Sequence, residues 1–408
     1  VPRWSGTGCD GAALYRDGMT VAESSLFSNW IGPGPSDPGV TRVGDQWLVT
    51  RHALVRQVLA DPASFAPDNA LDAVTPLSVP ALRILVRYGF RLPPTLANNG
   101  TPSHPALRGI VADALHPHRV AAQRDWLTGV VRRRVVTITA SLRAGDPVDL
   151  DAAVSRDLPL AVLGRLVDLP SDEVAVVKRF SAAALELFWA PLTPQRQQEL
   201  ATVVGQYYAR LRRFAETASG LVSTLREYAL SNGLSMDEVV GVLFFLLVAG
   251  QETTSQFLTL LMRRLIAEPE LPAALSAGRV SVEDVVEEGL RLEPPIVTWR
   301  RVTTRDVVLG GVPIPAGASV LLGLARAGRD ETVVAEPHRF IPGQRGSRRH
   351  LAFGAGAHRC LGAQLARMEA TVVISELAPV LRRCRVIAEP TFPPNLSFRM
   401  PDRLVVTW

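Results

Sequence analysis

Cys360 is the residue best suited to chemistry. It sits in the run Phe353-Gly-Ala-Gly-Ala-His-Arg-Cys-Leu-Gly362. The thiol follows a glycine-rich turn and precedes a segment whose spacing predicts a helix from Leu361 to about Leu381. Helix N-termini carry positive partial charge and free N–H groups, which favour a thiolate. Glycines at 354, 356 and 362 let backbone approach something flat and close. A thiolate without a second cysteine nearby suits a single metal position, not a tetrahedral zinc site. Haem iron takes such a single thiolate. The plainer alternative is an inert cysteine in a glycine turn.

Three other groups of residues carry chemical potential. Ala249-Gly-Gln-Glu-Thr-Thr254 ends an apolar helical run that starts at Val239. Polar residues there are costly unless they have partners or work. Either Thr253 bonds back to a carbonyl and bends the helix, or Glu252 and Thr253 act as a pair. Glu288 and Arg291, at i and i+3, share a helix face and can pair. His104 and Arg108, at i and i+4, also share one face. Both can donate to an anion.

Taken together, these motifs resemble the bacterial, soluble cytochrome P450 family. The ten-residue run resembles the family's haem-binding signature at every specified position. Glu288-Gly-Leu-Arg291 resembles its E-x-x-R, with Arg339 of Pro337-His-Arg-Phe340 as a third arm of a structural cluster. The resemblance implies haem b, held non-covalently, with Cys360 as axial thiolate. It implies a haem site formed by His104, Arg108, Ala249, Arg301, Phe353, Gly354, His358, Cys360 and Gly362, and leaves open whether Arg300 or Arg301 meets a propionate. Glu252 and Thr253 align with the acid–alcohol pair that delivers protons during oxygen activation. Gln251 stands where His is more usual. Phe245, Val248, Ile296, Val297 and Phe398 fall on substrate-contacting segments, with Leu85, Val86 and Phe90 further candidates.

Elements must position these residues. Val40–Val43 and Gln46–Val49 alternate and read as a hairpin, followed by a helix from His52 to Ala60. Residues 61–102 show little periodicity and read as a long functional loop. From 103 to 266 the reading is almost wholly helical. Ser235-Met-Asp-Glu238 is a capping box that opens a helix running to 266, about 45 Å long. It is apolar all round in its first half, so it belongs in the middle of the molecule. Residues 306–322 read as strands and hairpins. The expected fold is mainly α with a minor β part: the P450 fold, with haem between the long central helix and the helix after the Cys loop. One domain spans 1–408. Its β-rich part is expected at about 38–60, 305–325 and 384–408, with the end segments pairing into one small sheet. Its helix-rich part is expected at about 103–300 and 361–383.

Composition excludes several alternatives. The chain has 408 residues, 47% hydrophobic and 20% charged, which is ordinary globular composition. Three cysteines cannot build a disulfide scaffold or a Cys₄ cluster. Cys9 and Cys384 match no motif and read as structural. The net charge is +5, almost all of it from arginine, with Lys178 the one lysine. No basic stripe with interleaved aromatics points to nucleic acid. The longest apolar run, Val239 to Gly250, is too short for a bilayer. The expected protein is cytoplasmic, monomeric and free of nucleic acid and membrane.

The implied activity is a haem-thiolate monooxygenase. It would use O₂ to hydroxylate or epoxidise a small, largely apolar molecule, a natural-product intermediate. Electrons would come from a ferredoxin and its reductase, steered by Arg345, Arg348, Arg349, Arg359 and Arg367 near the Cys loop. The competing activities are oxidative coupling, desaturation or peroxide-driven oxidation on the same scaffold. A non-enzymatic haem-binding role is the remaining alternative.

Overall fold

The expected hairpin forms as β1 (Val40–Val43) and β2 (Gln46–Val49), with Val40 opposite Val49. The computed structural model describes residues 38–408, residue 93 excepted, so Cys9 lies outside the described residues. β3 (Phe65–Ala66) follows helix α1 (His52–Ala60). Later in the chain come β4 (Val148–Asp149), β5 (Thr298–Thr303), β6 (Val307–Leu309), β7 (Val312–Ile314) and β8 (Ser319–Gly323). A five-stranded sheet runs in the order β1-β2-β8-β5-β3, with β2 and β8 parallel. The hairpin therefore shares one sheet with β5 and β8, as expected, while β6 and β7 pair only with each other. The last strands do not join it. β9 (Arg385–Ala388) and β10 (Val405–Thr407) pair with each other and with β4, which lies deep in the helical region. A two-residue strand such as β4 carries no periodic signal, so this pairing could not be read from sequence.

The stretch 61–102 contains a helix, α2 (Val79–Arg87), with Pro80 in its first turn. Proline is tolerated there because the missing N–H has no intrahelical partner anyway. α2 departs from the expected loop: its buried Ala81 and Leu85, four apart, give it one apolar face within a Pro- and Asn-rich stretch. Then come α3 (His104–Ala114), α4 (Pro117–Ala121), α5 (Arg124–Ala144), a π-helical turn at Asp151–Ser155, and α6 (Leu158–Val167). α7 (Val174–Trp189), α8 (Pro194–Thr217) and α9 (Leu221–Ser231) complete this layer.

The central helix begins at its capping box. Glu238 accepts from the Ser235 N–H at 2.9 Å, and the Asp237 N–H donates to Ser235 Oγ at 3.2 Å. Such a cap stabilises by about 1 kcal/mol. It does not run unbroken. α10 (Met236–Ala249) stops, Gln251 takes φ −140°, and α11 (Glu252–Ala267) resumes. Together they span Met236–Ala267, long and apolar enough to cross a membrane, but 72% of the most apolar window is buried inside the fold. They serve as a core helix.

Two more helices frame the site: α12 (Glu270–Ser276) leads into α13 (Val282–Leu292). After the short α14 (Leu324–Ala327) and a long coil, α15 (Ala363–Leu381) packs against α5, α11 and α13. Cys384, just beyond α15, is buried and donates to Val380 O, as a structural thiol would.

Candidate active site

Cys360 combines two properties that rarely coincide. Its surface is exposed, yet the surrounding protein desolvates its sulfur heavily. The sulfur therefore lines an internal chamber rather than the outer surface. Burial pushes the thiol up, against the Gly362 N–H and the charges of Arg108, Arg359 and Arg367, which favour thiolate. The sequence expectation of a thiol lowered by a helix start is thus reversed for the bare group. Coordination to a metal would deprotonate it outright. The Cys360 N–H donates to Phe353 O at 2.9 Å, which closes the loop.

The glycines of this loop do different jobs. Gly354 and Gly356 have φ +63° and +69°, where side chains are strained. A Cβ at Gly356 would lie 2.3 Å from Leu59 O, so this glycine serves packing against α1. Gly362 has no such crowding: its Cβ would meet Cys360 Sγ at 3.8 Å.

The central helix contributes a wall. Phe245, Ala249 and Thr253 are only partly buried, while most of their neighbours are fully buried. At i, i+4 and i+8 these three form one stripe, so one side of an encased helix faces open space. Val248, next to this stripe, is buried in the main core. At the break, Thr253 Oγ1 donates to Ala249 O at 2.9 Å, which leaves its lone pairs free to accept. Glu252 is buried against Lys178, whose Nζ lies 2.6 Å from Oε1. The same Nζ donates to Gln251 Oε1 at 2.7 Å, and Gln251 Nε2 donates to Glu252 at 3.0 Å. Gln251 thus fills its position with an amide that joins acid and lysine. Lys178 was not assigned a role from sequence. Its being the one lysine in an arginine-rich chain was the available signal.

A set of basic groups gathers without acids. Arg301 is among the largest fully buried side chains, and its hydrogen-bond partner among the described residues is Arg300 O at 2.8 Å. Burial pulls its pKa down to about 10. Arg300 turns elsewhere: its Nη2 donates to Ala70 O and Asp72 O of the preceding loop, and Asp72 lies beside it. His104 is buried with no partner on Nε2 and stacks on His358 at 4.3 Å. Burial lowers His104, and it takes His358 down to about 4, even though His358 Nδ1 sits 3.2 Å from Leu96 O. Arg108 reaches Arg359 O. Buried donors with no carboxylate fit a ligand that carries carboxylates, and Arg301 is the one of the two adjacent arginines left for it.

A cluster of aromatic rings packs in the core around Ile296 and Phe398. Phe398 bridges to Ile296 and stands edge-on to Trp189 at 5.0 Å. Trp189 stacks on Trp299 at 6.2 Å, and Phe90 joins Phe188 and Phe244. Val297 departs from expectation. It packs with Leu48, Leu321 and Leu396, away from Ile296, because successive strand residues face opposite sides.

The expected ion cluster forms with one change. Glu288 and Arg291 are buried and bidentate, at 2.7 and 2.8 Å. Arg291 also donates to the carbonyls of Gly328, Pro337 and Arg339 at 3.0, 2.7 and 2.8 Å. Glu288 receives Ile341 N–H, Gln344 Nε2 and Ser347 Oγ. Arg339 enters through its backbone carbonyl, and its side chain is exposed. Gln344 and Ser347 hold the places expected for its guanidinium.

The chain and its fold match known proteins. The family model for cytochrome P450 matches residues 280–407. Cytochrome P450 monooxygenase PikC of Streptomyces venezuelae is 32% identical, over 92% of this chain and 88% of its own. The mycinamicin IV hydroxylase/epoxidase of Micromonospora griseorubida is also 32% identical, over 89% and 90%. The chain belongs to the cytochrome P450 family. The solved structure of cytochrome P450 CREJ with (4-ethylphenyl) dihydrogen phosphate superposes with a TM-score of 0.85 at 28% identity, covering 91% of this chain and 94% of that one. This P450 is a monooxygenase with non-covalent haem b. The chamber fits that group: one desolvated sulfur, one accessible helix stripe and a ring of acid-free basic side chains.

Proposed function

We propose that this P450 hydroxylates or epoxidises a small, largely apolar natural-product intermediate, with electrons from a ferredoxin and its reductase. The observation that carries the reading is the chamber itself: Cys360 on its wall, with the Phe245–Ala249–Thr253 stripe and the Lys178-held Glu252 on the central helix. In this reading Cys360 holds the haem iron. His104, Arg108, Arg301 and His358 take its carboxylates, and Phe353, Gly354 and Gly362 shape the thiolate loop. Bound haem supplies the redox chemistry that activates O₂.

The chain's own residues do the rest. Thr253 keeps its hydrogen on Ala249 O and offers an acceptor to a water. Glu252, held by its contact with Lys178, carries protons inward to that water. Phe245, Ile296 and Phe398, with the neighbouring aromatic rings, exclude bulk water and favour an apolar guest. Relatives named for the oxidation of mycinamicin IV, erythromycin and cyclomarin C support the natural-product class. Arg345, Arg349 and Arg359 lie exposed near the Cys loop, and among the described residues they have no ion pair. Such a face suits an acidic ferredoxin. A cytoplasmic monomer, forming one catalytic unit over 1–408, belongs to the same reading.

The test is turnover under ¹⁸O₂ with ferredoxin and reductase, on compounds that shift the ferric spin state. One labelled oxygen in the product supports the proposal. A product that gains no oxygen replaces it with desaturation or coupling.

A further inference from the structure

Glu287 stands beside Glu288 on α13 but serves a different set of partners. Its buried carboxylate receives Arg367 of α15 through Nε on Oε1 and Nη2 on Oε2, the latter at 3.2 Å. His350 Nε2 lies 3.2 Å from Oε2. The Ala352 N–H donates to His350 Nδ1 at 3.2 Å, so Nδ1 accepts and Nε2 carries the hydrogen given to Glu287. One carboxylate therefore ties together α13, the coil before the Cys loop and α15.

The cation it holds faces the thiolate loop. Arg367's guanidinium lies 4.6 Å from the centroid of the Phe353 ring, and the His350 ring lies 5.8 Å from it. Phe353 O is the acceptor of the Cys360 N–H. Arg367 is also one of the charges that act on the Cys360 sulfur. Burial would raise Glu287, but its bonds from His350 and Arg367 prevail and hold it at about 2, so it is ionised throughout the neutral range.

We propose that Glu287 is a positioning residue for the cysteine ligand. It fixes Arg367 over Phe353 and offsets its charge, and so sets how much positive potential the thiolate and iron experience. The inference rests on Cys360 being the axial ligand. A charge next to the ligand loop shifts the potential of a redox centre, less so where solvent screens it.

The experiment is a potentiometric titration of the haem-loaded protein without ferredoxin, at alkaline pH so that His350 stays neutral. Glu287→Gln leaves Arg367 unopposed and should raise the ferric/ferrous potential. Arg367→Gln leaves Glu287 unopposed and should lower it. Arg367→Lys keeps the charge and should stay closer to the unsubstituted protein than Arg367→Gln does. A purely structural role would move Glu287→Gln and Arg367→Gln in the same direction, and that result overturns the proposal, as does no shift in either. Should Glu287→Gln fail to retain haem, the half-exposed Arg367 decides: equal potentials for Arg367→Lys and Arg367→Gln contradict it. If the unsubstituted protein lacks the thiolate ferrous–CO band, the ligand assignment fails first. A normal band with unshifted variants refutes only Glu287's role.

Discussion

Lys178 and Glu252 meet at 2.6 Å with both side chains mostly buried. Removing one partner of a buried pair leaves an uncompensated charge, at a cost of roughly 3–5 kcal/mol. Lys178→Met should therefore lower the melting temperature and the product formed per electron pair. Thr253→Ala should leave electron consumption running while product per electron pair falls. Coupling equal to the unsubstituted enzyme in both variants would remove the pair from proton delivery. Glu369 makes a second residue-scale case. Both of its carboxylate oxygens are buried without partners, and burial raises its pKa well above the usual value. Its folded pKa exceeds its unfolded one. The associated stability is complete below the unfolded pKa and is lost as pH rises toward the folded pKa. Glu369→Gln should thus match the unsubstituted protein's melting temperature best in acid and gain on it as pH rises. A difference independent of pH would show that Glu369 does not titrate this way.

The elements explain what could be read early and what could not. The Cys360 loop was legible because its chemistry lies within ten consecutive residues, and the capping box at Ser235 because caps are local. The Lys178–Glu252 contact joins residues 74 apart in sequence, and no local spacing announces it. Val248 and Val297 fall on substrate-contacting segments by resemblance, and in the fold both are buried, Val248 in the main core and Val297 against Leu48 and Leu321. The bend near Thr253 is one of the two readings its sequence allowed, and Thr253 does bond back to Ala249 O, whereas the backbone role of Arg339 depends on tertiary partners. Arg291 gives the element-scale prediction. Its planar fork binds Glu288 while three carbonyls accept from its other hydrogens. A lysine cannot reproduce that fork. Arg291→Lys should lower the melting temperature and release haem faster. Haem retention equal to that of the unsubstituted protein would show that the cluster does not support the Cys loop.

At the scale of the whole molecule, the long-range pairings serve one chamber. The N-terminal hairpin shares its sheet with β5, the strand that carries Arg301 and Trp299. α1 backs the Cys loop through Leu59 O against Gly356. α13 holds the coil before that loop through Glu288, and through Glu287 it holds Arg367 of α15. These contacts converge on a sulfur that is desolvated yet open to the chamber. The central claim is that this sulfur binds iron as thiolate. It is tested most directly by reducing the haem-loaded protein, adding CO and recording the Soret difference spectrum, with Cys360→His alongside. The account predicts the long-wavelength band of a thiolate-ligated ferrous–CO complex, replaced in Cys360→His by the shorter-wavelength band. The shorter band in fresh unsubstituted protein, or the long band surviving in Cys360→His, would contradict it.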